Sequence, residues 1–237
     1  MLQDLFNKSR KVPFSDFVTY ALYSENGYYR KGSHVEKNGD FLTSPLVSRA
    51  YGETLASFFL TKVIHNRSDK ISLVELGPND GRLMSSVVDY IKKSAPNIYQ
   101  KLEIILVEQN INIHKNIANL LSNHKEKLSI CATITDIEKK NNETFLFCNE
   151  FFDALTFERC VLKENILYIV NIEKEKKNIS EVLIKAGDSL IRKIEEYDLQ
   201  IEENFYFEFP ILEYEKYFYE LSKKFSSLHV LVNDYGE

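Results

Sequence analysis

Three cysteines in 237 residues, none spaced as Cys-x-x-Cys, leave the chain neither a disulfide framework nor a thiolate zinc site. Cys131, Cys148 and Cys160 read instead as buried, reduced thiols of a cytoplasmic protein. No stretch approaches the ~20 apolar residues of a membrane helix, so no bilayer insertion is expected. The opening residues, MLQDLFNKSRKVPF, lack the apolar core of a secretory signal. The Asn-x-Ser triplets at 66–68 and 178–180 are then chance matches. Positive charge is not in excess either. The net charge is −5, and lysines interleave with acids as in EKEKK at 173–177, which leaves no electrostatic footprint for nucleic acid. The five histidines show no metal-ligand pairing, and no metal site is expected. Internal repeats and low-complexity tracts are missing too.

What is present is a core: 44% of residues are hydrophobic. Residues 14–23 place Phe14, Phe17, Val18, Ala21 and Leu22 on one helical face, with Ser15 as N-cap. A Gly-, Tyr- and Lys-rich loop fills 25–45, and a second helix is expected over 48–64. From residue 71 strands and helices alternate. ISLVEL (71–76), LEIILVE (102–108), KLSICAT (127–133) and TFLFCNE (144–150) read as strands. Residues 82–93 carry Leu83, Met84, Val87, Val88 and Ile91 on one helical face, and 110–122 align Ile113, Ile117, Leu120 and Leu121. This alternation predicts an α/β fold, a mostly parallel sheet with helices on both faces. Residues 158–173 read as a hairpin turning near KEN, followed by charged helices around 180–198 and 211–225 and a strand from 228. The expected organisation is an N-terminal helical segment (1–64), a Rossmann-like core (65–157 and 228–237) and an α+β insertion (158–227).

The stretch LVELGPNDGRLM (73–84) is strand, tight turn and helix start, a form that often cradles a nucleotide-like cofactor. Gly77 and Gly81 allow torsions and close approaches that a Cβ would block. A dinucleotide fingerprint needs Gly-x-Gly-x-x-Gly and an acid ~20 residues on. Here the middle glycine is missing, a pyrophosphate fits poorly beside Asp80, and Glu108 lies 31 residues past Gly77. S-adenosylmethionine, with an ammonium, two ribose hydroxyls and no phosphate, suits the acids better. Glu75 is expected to meet the ammonium through a water or backbone network, Glu108 the ribose hydroxyls and Asp136 the adenine amine. The alternative is that each acid caps a helix or is solvated. Asn79 tolerates positive φ.

FCNEFFDAL (147–155) sets two acids and an amide after the fourth strand, where the transferable methyl would lie. A methyltransferase has to align a nucleophile and remove a proton. Glu150 and Asp153 are expected to hold a cationic acceptor, with Phe151 and Phe152 walling a channel. The alternative places both rings in the core and Asp153 at a helix cap. The length of the 25–45 loop points to a lid or binding loop, and Asp234, in NDYG, again stands at a strand tip.

The segments FSDFVTYALYSENGYY, GDFLTSP, YGE (51–53), VELGPNDGRLM, VEQN, NEFFDAL and NDYG occur in the order of one family. From about residue 14 onward the chain resembles the MidA-like S-adenosylmethionine-dependent methyltransferases, relatives of a mitochondrial complex I assembly-factor methyltransferase. The resemblance implies a class I methyltransferase fold and, through the mitochondrial member, protein arginine methylation. It adds Pro78, Gln109 and Asn149 to the cofactor set, with Asn149 also among the catalytic residues Glu150 and Asp153. It places Asp40, Phe41, Thr43, Ser44, Phe151, Phe152, Asp234 and Tyr235 on the substrate side. The chain departs from the family at Asn79-Asp80, at Leu46, where an acid is usual, and at Thr156, where proline is usual. Family members run on past the DYG strand to two further strands, so the sheet is expected to be short on one side with an exposed edge. Protein is the expected partner, and a homodimer is compatible with the sequence. Other readings are an assembly module that has lost turnover, a small-molecule methyltransferase and, last, a nicotinamide enzyme.

Overall fold

Strands covered on both faces need unbroken apolar sequence, and the chain concentrates such runs between residues 71 and 149. The computed structural model describes residues 2–7, 9–30, 49–63, 68–176, 178–209 and 211–234. In chain order the elements begin with α1 (Leu2–Leu5), β1 (Lys11–Pro13), α2 (Phe14–Tyr23) and α3 (Arg49–Val63). Next come β2 (Ile71–Leu76), α4 (Arg82–Ser94), α5 (Pro96–Lys101), β3 (Leu102–Val107), α6 (His114–Leu120), β4 (Leu128–Cys131) and β5 (Lys140–Asn149). The remainder is β6 (Glu158–Lys163), β7 (Ile166–Glu175), β8 (Asn178–Lys185), α7 (Asp188–Glu196), β9 (Tyr206–Phe209), α8 (Ile211–Lys224) and β10 (Phe225–Asn233).

The chain divides into two compact units, Met1–Lys31 with Leu155–Glu215 and Gly32–Ala154 with Lys216–Glu237. The second holds a parallel sheet in the order β10-β5-β2-β3-β4. All six residues of β2 are buried, which its central place explains. The helical face expected on 82–93 is the buried face of α4: Leu83, Met84, Val87, Val88 and Ile91. It shares one core with Phe59 and Val63 of α3 and Ile104 and Leu106 of β3. Helices α3 and α4 cross closely at Gly52, where a Cβ would lie 2.6 Å from the Ser86 Cβ. Among the described residues β10 pairs only with β5, and Val230, Leu231 and Val232 are exposed in succession, so both of its faces are open.

The first unit is an antiparallel sheet in which β7 pairs with β1, β6 and β8, and β6 pairs with β9. Its core gathers Cys160, Leu167, Leu190, Ile194 and Phe209. The β6–β7 turn lies at Glu164-Asn165, both at positive φ (51° and 60°), the torsions of a two-residue hairpin turn matched to strand twist.

Four local expectations are corrected. Pro13, not Ser15, stands at the N-cap of α2, and the Ser15 hydroxyl donates to Glu158 Oε1 at 2.5 Å. Ala21 is exposed, so the apolar face of α2 is shorter than the pattern. Residues 178–185 form β8 rather than helix, because an eight-residue ladder with β7 outweighs their charged composition. Leu120 is exposed because a 3₁₀ turn at Ile111–Ile113 precedes the seven-residue α6 and breaks the single helical period. No helix among the described residues is long and apolar enough to cross a membrane.

Candidate functional site

The carboxyl ends of parallel strands open toward a crevice in folds of this kind. In the larger unit the turn after β2 is built to bring backbone there. Gly77 (φ 63°), Asn79 (φ 49°) and Gly81 (φ 82°) all take left-handed torsions, which tighten the reversal into α4. The Gly77 N–H donates to Val107 O (2.9 Å) and the Gly81 N–H to Pro78 O (2.8 Å), tying the turn to β3 and to itself. Side chains fit only as glycine at both ends. A Cβ on Gly77 would meet Phe151 Cδ2 at 2.8 Å, and one on Gly81 would meet Ile117 Cγ2 at 3.0 Å. Pro78 is buried between them.

The electrostatics of this turn decide what it suits. Asp80 Oδ1 accepts the Arg82 N–H (3.0 Å) and Oδ2 pairs with Arg82 Nε (3.0 Å). The first turn of α4 thus carries its own carboxylate, where a phosphate-binding loop leaves room for a ligand anion. Glu75 is 3% exposed, and its buried Oε2 has no hydrogen-bond partner. Burial, and then the Asp80 charge, push its carboxyl up to about 8. A buried acid with an orphan oxygen next to a filled helix N-terminus fits a cationic ligand group, not a pyrophosphate.

Glu108 lies at the tip of β3. Its carboxylate accepts the Asn110 N–H (Oε1, 2.8 Å) and the Asn79 N–H, so it bridges the two strand-end loops. Burial raises its pKa, and the two N–H bonds and His114 oppose the rise. The neighbouring Gln109 is exposed. Asp136 does not join them. It is exposed, and its Oδ2 takes the Thr133 N–H and hydroxyl, both at 2.9 Å, in a capping box. That is the capping role weighed against adenine recognition, and it follows from the short 3₁₀ turn after β4.

The second cluster forms where β5 and β10 end side by side. Asn149 Oδ1 receives the Tyr51 hydroxyl (3.0 Å) and Asn233 Nδ2 (2.7 Å). Glu150 takes positive φ (50°) while its N–H donates to Asn233 O at 2.8 Å. Asp234 Oδ2 accepts the Phe151 and Phe152 N–H groups at 3.1 and 2.7 Å, which clamps the loop. Phe152 is buried and stacks on Phe218, the core alternative, whereas Phe151 stands against Gly77 and, edge-on, Tyr217. Asp153 is exposed. Asp40, Phe41, Thr43, Ser44 and Tyr235 lie outside the described residues.

Two residues of the cluster were not among the sequence candidates, Tyr51 and Asn233. Burial, then Glu150 and Glu75, raise the Tyr51 phenol, so this side chain feels the acids of both groups. Its signal in the sequence was the YGE triplet, in which Gly52 lets α3 approach α4.

An open parallel sheet with helices packed on it and a glycine turn after its central strand is the Rossmann-like fold of S-adenosylmethionine-dependent methyltransferases. The chain belongs to the family described as "Putative S-adenosyl-L-methionine-dependent methyltransferase", whose model matches residues 54–237. The cofactor of that family is S-adenosylmethionine, and the orphan oxygen of Glu75 suits its ammonium. Curated relatives include protein arginine methyltransferase NDUFAF7, mitochondrial, of Danio rerio, 34% identical over 89 residues (37% of this chain, 19% of that protein). The Bos taurus protein of the same name is 29% identical over 115 residues (48% and 23%). The matched stretch thus spans about a fifth of each curated relative. Among solved structures, a Burkholderia thailandensis protein described as a "likely methyl transferase", bound to S-adenosylhomocysteine, superposes with a TM-score of 0.75. That likeness, at 15% identity over 96% of this chain and 59% of the other, concerns the fold.

Proposed function

We propose that this methyltransferase acts on a protein nitrogen, with arginine as the acceptor. The observation that carries the cofactor half is Glu75, buried with one unpartnered oxygen beside a helix N-terminus already filled by Asp80. In this reading Glu75, Gly77, Pro78, Gly81, Glu108 and Gln109 hold S-adenosylmethionine. The cofactor supplies a methyl already activated on a sulfonium. The chain therefore has to align the nitrogen, exclude water and take up a proton.

For the acceptor, Glu150 sits at the end of β5 in a torsion that side chains seldom adopt, held by the β10 backbone. Such a carboxylate suits both roles, gripping a guanidinium and receiving its proton. Phe151, beside Gly77, offers an apolar wall between the two groups, and Asp153 supplies a second negative charge. The arginine assignment draws on the names of the curated relatives together with this acidic segment.

Incubation with methyl-labelled S-adenosylmethionine and matched arginine- or lysine-bearing peptides tests it, with hydrolysis to free methylated residues as the readout. Label in methylarginine, lowered roughly a hundredfold or more in Glu150→Gln, is the expected result. Label confined to lysine or to small molecules would overturn the acceptor assignment.

A further inference from the structure

The Tyr51 cluster goes beyond that reading, although it rests on the strand tips being the cofactor and acceptor site. We propose that Tyr51 is a positioning residue. Together with Asn233 it locks the Asn149 carboxamide so that its amide nitrogen, rather than its oxygen, faces the ligand.

A carbonyl oxygen has two lone pairs. At Asn149 Oδ1 both are taken, one by the Tyr51 hydroxyl at 3.0 Å and one by Asn233 Nδ2 at 2.7 Å. Asn233 also acts on the Tyr51 phenol, whose pKa it lowers, so three side chains from α3, β5 and β10 meet at this point. The protons balance: one Asn233 amide proton and the single Tyr51 hydroxyl proton both go to Asn149 Oδ1. The Asn149 Nδ2 group then has no partner among the described residues and is not among the buried unsatisfied atoms. Turning Asn149 alone would set Nδ2 against Asn233 Nδ2, donor to donor. Asn149 therefore works as a hydrogen-bond donor, and within NEFFD the acceptor for a substrate N–H is Glu150. Tyr51 reaches this place from another element because Gly52 allows α3 to lie on α4 with no room for a Cβ.

The test uses the whole chain, S-adenosylhomocysteine as probe, calorimetric affinities, and ¹⁵N spectra of the Asn149 side-chain amide. Asn149→Asp keeps an oxygen for both incoming bonds and removes the donor. It should weaken S-adenosylhomocysteine by tenfold or more while the melting temperature holds. Tyr51→Phe and Asn233→Ala each remove one tether. They should weaken binding roughly two- to tenfold, the worth of one hydrogen bond, and shift the Asn149 amide pair. Wild-type affinity in Asn149→Asp would overturn the proposal. So would unmoved Asn149 resonances in folded Tyr51→Phe, or resonances showing this NH₂ bonded to Tyr51 in the free protein, the sign that both amides are reversed. Should the wild type fail to bind the probe, the cofactor reading fails instead, and the amide resonances of the two tether variants decide this inference alone.

Discussion

Glu75 is a carboxyl that folding prefers to keep protonated. Its pKa, held near 8 by burial and the Asp80 charge, lies above the ordinary carboxylate value. Its contribution to stability is therefore full below that ordinary value and is lost as pH rises through about 8. Glu75→Gln cannot ionise, so the ligand-free variant should gain stability on the wild type as pH rises from 5 to 8. The gain is at most about 1.4 kcal/mol per pH unit, and melting curves across that range read it; parallel curves would contradict it. A cationic ligand group beside Glu75 should in turn drive its proton off. Calorimetry near pH 7 in two buffers of different ionisation enthalpy should show protons released as S-adenosylhomocysteine binds, and Glu75→Gln should abolish the release.

At the scale of elements, three contacts hold the site in register. Asp234 of the β10 end takes two backbone N–H groups of the β5 loop. Asp234→Ala leaves both unpaired and should cost about 1–3 kcal/mol, measured by denaturant unfolding. Gly77→Ala meets a left-handed torsion and the Phe151 ring together, and should cost about 1–2 kcal/mol from the backbone alone while weakening cofactor binding. Gly52→Ala should loosen the α3–α4 crossing by about 1–3 kcal/mol. The same change should cost less in a Ser86→Gly background, where the opposing Cβ is gone. These contacts also explain what the sequence could reveal. The glycine turn and Glu75 were legible because a tight reversal and an acid before it are local patterns. The buried face of α4 was legible because its period is unbroken. Tyr51 was not, since it comes from a helix outside the strand–helix alternation and counts only through Gly52. The clamp by Asp234 was hidden because its partners are backbone N–H groups, which leave no mark in the pattern of side chains. Asp136 stood in the expected place after its strand, but a three-residue turn consumed its carboxylate as a cap.

Across the molecule, the parallel sheet was readable from runs of apolar sequence, while the antiparallel unit was only half readable. The hairpin at 158–175 announced itself through Glu164-Asn165, yet β8 carries a charged sequence that becomes a strand only by pairing with β7. In the larger unit the tips of β2, β3, β5 and β10 converge with one side chain from α3. The proposed function rests on the claim that these tips hold S-adenosylmethionine. Titration of the intact chain with S-adenosylhomocysteine, followed by calorimetry beside Glu108→Ala, tests that claim most directly. The expected result is saturable binding at one site per wild-type chain and markedly weaker binding by Glu108→Ala, measured at a temperature where that variant is folded. No saturable binding by the folded wild-type chain would contradict it.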